Sequence, residues 1–81
     1  YMSNIENEIE AILNEVVQLD RLNEINNLVT GGHLDSFDTL ALISKIEDKY
    51  DISIEFTEDV FSQLDSISNI KFLIRNALKA N

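Results

Sequence analysis

Ser36 is the side chain of this chain best placed to do chemistry. It stands in Leu34-Asp35-Ser36-Phe37-Asp38-Thr39-Leu40, on the last step of a loop that contains Gly31-Gly32-His33 and directly ahead of an amphipathic, acid-rich stretch. A serine on that step has two readings. It is a helix N-cap, a role for which serine is among the preferred residues, or it is an exposed hydroxyl open to covalent modification. The two compete, because a capping hydroxyl is already engaged. Catalysis by Ser36 itself is disfavoured, since a serine nucleophile needs an oriented base and an oxyanion hole. Nearby in sequence there are only Asp35 and His33, the single histidine of the chain. His33 has no companions that would make it a ligand or a proton shuttle, and it reads as a loop residue. The acidic run from Asp48 to Asp59 invites a calcium reading, but an EF-hand loop needs a central glycine and a terminal glutamate. Counted from Asp51, those positions hold Phe56 and Ser62, so no EF-hand site is expected, and divalent cations would be held on the acidic face only weakly.

Helical periodicity supplies the elements that must hold Ser36. Ser3 and Glu6 have the spacing of a capping box. Ile5, Ile9, Ile12, Leu13 and Val16 follow at helical intervals, which predicts a first helix from about Asn4 to about Leu19. From Asp20 to Asp35 the pattern loosens. Leu22, Ile25, Leu28 and Val29 are expected to pin a long loop, with a short helical turn, to the core. A second helix is predicted from Ser36 to about Tyr50, with Thr39, Leu42, Ile43, Ile46 and Tyr50 on one stripe. Phe37 and Leu40 project roughly 140° or more away from Leu42 at about 100° per residue. Either they are exposed for a partner or this helix is covered on both sides, and a small domain favours exposure.

Asp51 to Phe56 reads as a loop, because a lone strand has nothing to pair with. Thr57 is a candidate N-cap for a short third helix from Glu58 to about Leu64, anchored by Val60, Phe61 and Leu64. Asp65 or Ser66 then caps a fourth helix whose stripe is Ile67, Ile70, Leu73, Ile74, Ala77 and Leu78. Lys71, Arg75 and Lys79 fall on its outer face, toward the end where cations are favoured. The expectation is an all-α fold: a small four-helix bundle of three longer helices and a short third one, with a long first loop.

Composition bounds the partners. The chain has 81 residues, enough for one domain spanning 1–81, and no cysteine to staple it. It has no proline, and its two glycines are adjacent. Its 15 acidic and 6 basic residues give a formal net charge of -9. Nucleic acid is a poor partner for such a chain, because binding there starts from neutralised phosphates. Anionic membrane surfaces are disfavoured for the same reason, and no apolar run approaches the roughly 20 residues of a span. Basic protein patches are the natural partners. A monomeric cytoplasmic protein without a signal peptide or stable membrane insertion is expected.

The aspartate-serine pair followed by a large apolar residue, at the start of a second helix, resembles the attachment site of acyl, peptidyl and D-alanyl carrier proteins. The order of the helices and the acidic balance are similar too. The resemblance spans nearly the whole chain and is strongest from Leu34 to Tyr50. It implies a protein that catalyses nothing. Ser36 would carry 4'-phosphopantetheine, transferred from coenzyme A by a phosphopantetheinyl transferase, and the thiol of that arm would hold an acyl or aminoacyl thioester. Asp35 and Asp38 would meet basic residues of partner enzymes. Phe37 and Leu40 would form the apolar part of the docking surface, and Glu47 and Asp48 its far acidic end. Partners would be an adenylating ligase, or acyltransferase and synthase enzymes, with basic docking patches.

The chain departs from fatty-acid carriers at three places. Those carriers usually have leucine after the serine, a glutamate in the next turn and a bulky apolar residue one turn later. Here Phe37, Ala41 and Ser44 stand there. The departures favour a specialised or secondary-metabolic carrier, with D-alanyl transfer next and fatty-acid synthesis third. A reading from another class is an unmodified helical module that uses the same acidic face and the Phe37/Leu40 patch to bind a basic partner.

Overall fold

The computed structural model describes residues 4–80. Its first helix, α1, spans Ile5–Val16. Ser3 lies outside the described residues. Asn4 is the N-cap, its side-chain oxygen accepting from the amides of Glu6 (3.0 Å) and Asn7 (3.4 Å). The helix stops three residues short of the expected end. Val16 and Val17 are a β-branched pair, which suits extended backbone, and Val17 leaves the helix at φ -147. Val17 and Leu19 then reach the core by strand-like alternation, with Gln18 and Asp20 outside.

The loop that follows is pinned rather than free. Leu22 lies in a short 3₁₀ turn, Leu22–Glu24, entered through Arg21 in left-handed backbone at φ 56. Leu22, Leu28 and Leu34 are all buried. The Leu34 amide donates to the Leu28 carbonyl at 2.9 Å and closes the last bend before α2. That bend depends on both glycines. A Cβ on Gly31 would fall on the side-chain amide and carbonyl oxygen of Asn27, and Gly32 holds φ +83, which side chains rarely adopt.

Helix α2 spans Ser36–Tyr50, as the periodicity predicts. Thr39, Leu42, Ile43 and Ile46 are buried, and Tyr50 is half-buried. The chain leaves α2 through Asp51 at φ 54. Residues 52–57 form a loop, and one Glu47 carboxylate oxygen accepts from the Ile54 amide there at 2.8 Å. Helix α3, Val60–Gln63, is shorter than expected. Thr57 does not cap it by its side chain. Glu58 and Asp59 form a turn, in which the Val60 amide donates to the Thr57 carbonyl at 3.1 Å. Helix α4 spans Ile67–Lys79, and Ser66 is its cap, the hydroxyl accepting from the Asn69 amide at 3.0 Å. Ile67, Ile70 and Ile74 are buried, while Leu78 in the last turn is exposed.

The fold is an all-α small bundle of three longer helices and one short one, with no strand among the described residues. Helix α1 packs against both α2 and α4, and α3 packs against α4. The Cα radius of gyration, 11.7 Å, matches the roughly 12 Å of a compact chain this long. Polar contacts tie the outer faces. Tyr50 donates its hydroxyl to Glu8 at 2.7 Å, joining the end of α2 to α1. Lys45 pairs with Glu15 at 3.0 Å, and Lys71 with Glu6 at 2.6 Å. The Lys71 ammonium holds the Glu6 carboxyl below its ordinary pKa. Burial, with help from Glu8, raises the Tyr50 phenol above its own.

Candidate functional site

The local geometry at α2 decides what Ser36 is free to do. Asp35, not Ser36, is the N-cap. Its carboxylate accepts from the Asp38 amide at 2.8 Å, and the Asp38 carboxylate reaches back to the Asp35 amide at 3.5 Å. This is a capping box with aspartate at both ends. The Asp35 carbonyl takes the first helical bond, from the Thr39 amide at 2.9 Å, and a second from the Thr39 hydroxyl at 2.8 Å. Thr39 is 1 % exposed, so this second bond satisfies a buried hydroxyl. Ser36 is therefore the first residue inside the helix. Its side chain is exposed, and no described residue accepts from or donates to its hydroxyl.

The first-turn amides are divided in the same way. Those of Asp38 and Thr39 are taken by Asp35. Those of Ser36 and Phe37 point out of the helix start without a described acceptor, as the opening amides of a helix do. They sit at the positive end of the helix dipole, which favours a bound anion.

Beside Ser36 lies a cleft of about 400 Å³, lined by Val29, Thr30, Leu34, Asp35, Ser36, Thr39 and Phe61. The first loop, the start of α2 and Phe61 of α3 each contribute to its lining. Phe61, 37 % exposed, stands edge-on to Phe56, with ring centroids 5.5 Å apart at 86°. The cleft thus has an aromatic wall held by a T-shaped pair, a favoured arrangement for aromatic rings.

The remaining site candidates divide into exposed and engaged. Phe37 is 81 % exposed and Leu40 is 53 % exposed. Of the two readings of that face, partner-facing and sandwiched, the structure selects an uncovered one. Asp48 is exposed. Glu47 is half-buried, and its bond to Ile54 means that only part of its carboxylate faces outward. His33 is exposed in the bend, and no hydrogen bond among the described residues ties it to Ser36. No group of three or more His, Cys, Asp or Glu side chains gathers as a metal site among the described residues. No helix there is long and apolar enough to cross a membrane.

One neighbour of the candidate site escapes sequence reasoning. Asp65 is the alternative cap for α4, but Ser66 fills that role. The Asp65 carboxylate instead reaches back across the molecule to the first loop. One oxygen accepts from the amides of Val29 (2.8 Å) and Thr30 (2.9 Å), and the other from the Thr30 hydroxyl (2.8 Å). Two adjacent capping residues before one helix leave one of them surplus, and that surplus was the one readable sign.

No family model, no curated protein and no solved structure matches the chain.

Proposed function

We propose that this protein is a carrier of the phosphopantetheine-binding type, modified on Ser36. One observation carries the reading. The serine at the loop-to-helix step is relieved of capping by Asp35, so its hydroxyl is exposed and unengaged at the positive end of a 15-residue helix. An ordinary capping serine would be bonded to its own helix.

Installation of the arm is a substitution at phosphorus. The Ser36 oxygen bonds to the phosphorus of coenzyme A that bears pantetheine, the pyrophosphate bond breaks, and adenosine 3',5'-bisphosphate leaves. The serine proton goes to a base of the transferase, since no described residue beside Ser36 is set to take it. The new phosphodiester then lies at the α2 N-terminus, where the amides of Ser36 and Phe37 and the helix dipole favour its charge. The arm supplies the thiol, and partner enzymes supply the chemistry on the thioester. This chain supplies the tether, the exposed Phe37 and Leu40 for docking, and acidic side chains that steer basic partners. The departures at Phe37, Ala41 and Ser44 favour cargo loaded by an adenylating ligase in a specialised cytoplasmic pathway. D-alanyl transfer ranks next and fatty-acid synthesis third.

A second reading rests on the same exposed face: Phe37 and Leu40 beside acidic side chains would also suit an unmodified module that binds a basic protein. Intact mass separates the two. The protein is incubated with coenzyme A and a broad-specificity phosphopantetheinyl transferase. The carrier reading expects one added arm on the wild type and none on a folded Ser36→Ala protein. A wild type that gains no mass, or a Ser36→Ala protein that does, would overturn it.

A further inference from the structure

The first loop ends at Ser36, yet part of its conformation is dictated by a residue beyond α3. Asp65 is 7 % exposed and engages three donors of Val29 and Thr30. Its own carbonyl accepts from the Leu28 amide at 2.9 Å. Four hydrogen bonds thus run from the three consecutive residues 28–30 to a single residue 35 or more positions away. Asp65 directly precedes the Ser66 cap of α4, in the short α3–α4 connection, and is buried there between Leu64 and Ile67 of the core.

Val29 and Thr30 are also walls of the cleft that contains Ser36. Ser36 itself is held by the α2 capping box and does not depend on Asp65. What Asp65 holds is the Val29–Thr30 part of the lining, a surface beside the serine hydroxyl that a partner or the first bonds of the arm would meet. A carboxylate suits this task. It is acceptor-only when ionised and offers enough lone pairs for two amides and a hydroxyl at once. Without it, two part-buried amides lose their partner, and such groups are costly to leave unsatisfied.

We infer that Asp65 is a positioning residue for the Ser36 site, fixing the Val29–Thr30 wall so that the modifying enzyme meets it already ordered. This rests on the carrier reading. A released wall must be re-ordered at each docking event, which weakens binding of the protein to the transferase and leaves the chemical step alone. For two residues re-ordered, the KM for the carrier should rise about fivefold or more, with kcat little changed.

The experiment measures arm installation from coenzyme A by the broad-specificity transferase on wild type, Asp65→Ala and Asp65→Asn. It is run at a temperature where circular dichroism shows each fully folded. Amide hydrogen exchange is followed in parallel. Asp65→Ala should speed exchange at Val29 and Thr30, leave Ile43 and Ile46 protected, and raise KM. Asp65→Asn retains a side-chain oxygen for the two amides and should recover most of the loss. If Asp65→Ala does not fold, Thr30→Val serves instead. It removes only the hydroxyl bond and should raise KM in the same direction by a smaller factor. Unchanged KM in the folded variant, despite faster exchange at Val29 and Thr30, would overturn the inference alone. A wild type that accepts no arm would overturn the carrier reading and the inference with it.

Discussion

Asp35 and Ser36 are neighbours with opposite duties, and a pair of alanine substitutions separates them. Asp35→Ala removes the side-chain acceptor of the Asp38 amide. Losing such a cap costs about 1 kcal/mol, and losing a carboxylate at a helix N-terminus costs roughly 0.5 kcal/mol more. The bonds from Thr39 to the Asp35 carbonyl are to backbone and survive. The sum, about 1.5 kcal/mol, lowers the Tm of a domain this size by roughly 6–12 °C. Ser36→Ala removes an exposed hydroxyl with no described partner. Alanine is also the better helix former, so stability should stay within about 0.5 kcal/mol of wild type. Urea and thermal unfolding followed by circular dichroism give both values, and intact mass after arm installation gives the complement. Asp35→Ala is the less stable protein and is still modified, whereas Ser36→Ala is stable and unmodified. A Ser36→Ala protein that loses 1 kcal/mol or more, beside an indifferent Asp35→Ala, would show that the serine is the cap, and the argument for its availability would fail.

Three further outcomes follow from particular contacts. Asp48→Lys, which reverses an exposed charge, should slow arm installation about threefold, the weight of roughly 0.6 kcal/mol for one surface charge pair. Salt should slow the wild type as the screening length falls from about 10 Å at 0.1 M to about 3 Å at 1 M, and rates blind to both changes would place docking elsewhere. Phe37→Ala should impair loading by an adenylating ligase at least tenfold, about 1.4 kcal/mol, with no change in unfolding midpoint. Efficient loading by a malonyl transacylase and by no ligase would return the chain to fatty-acid or polyketide synthesis. Tyr50→Phe loses the bond to Glu8 and should cost about 1 kcal/mol at neutral pH. The folded-state pKa of Tyr50 is raised, so its contribution is whole below about pH 10, the ordinary tyrosine value, and is lost as pH rises beyond it. A wild-type alkaline limb no steeper than that of Tyr50→Phe would refute the coupling.

The parts legible in the sequence are those written in short-range period. The stripe Thr39, Leu42, Ile43, Ile46 placed α2, and the paired glycines placed the bend before it. The cap of α2 is not read from the sequence as Asp35, although Asp35 and Asp38 have the spacing of a box. Ser36 drew attention as the more familiar capping residue, although its neighbour has the better acceptor. The end of α1 was hidden because Val16 and Val17 satisfy helical period and extended preference alike, and only the position of the core decides between them. In the sequence Glu47 reads, by resemblance, as the far acidic end of the docking surface, and Asp65 as one of two alternative caps for the last helix. Their real partners are backbone amides, which have no signature in a sequence. The Asp65 bonds also span 35 and 36 positions, and no periodicity reaches that far.

Leu22, Leu28 and Leu34 recur every six residues along the first loop, and each is buried. They divide a stretch without α-helix into two short arcs between fixed points. An arc anchored at both ends can change length at little cost, since doubling a flexible segment adds only about 0.6 kcal/mol of closure free energy. The two arcs are not equivalent. The later one, 29–33, carries the bonds to Asp65 and the glycine bend, so its length is set by geometry on both sides. The earlier one, 23–27, meets the second where the Gly31 amide donates to the Asn27 carbonyl at 2.7 Å and where a Cβ on Gly31 would fall on Asn27. Exposed Asn26, between Ile25, which packs against the core, and Asn27, which meets Gly31, is therefore where a peptide tag or a fluorophore can be spliced into this protein while the serine and its cleft stay in place.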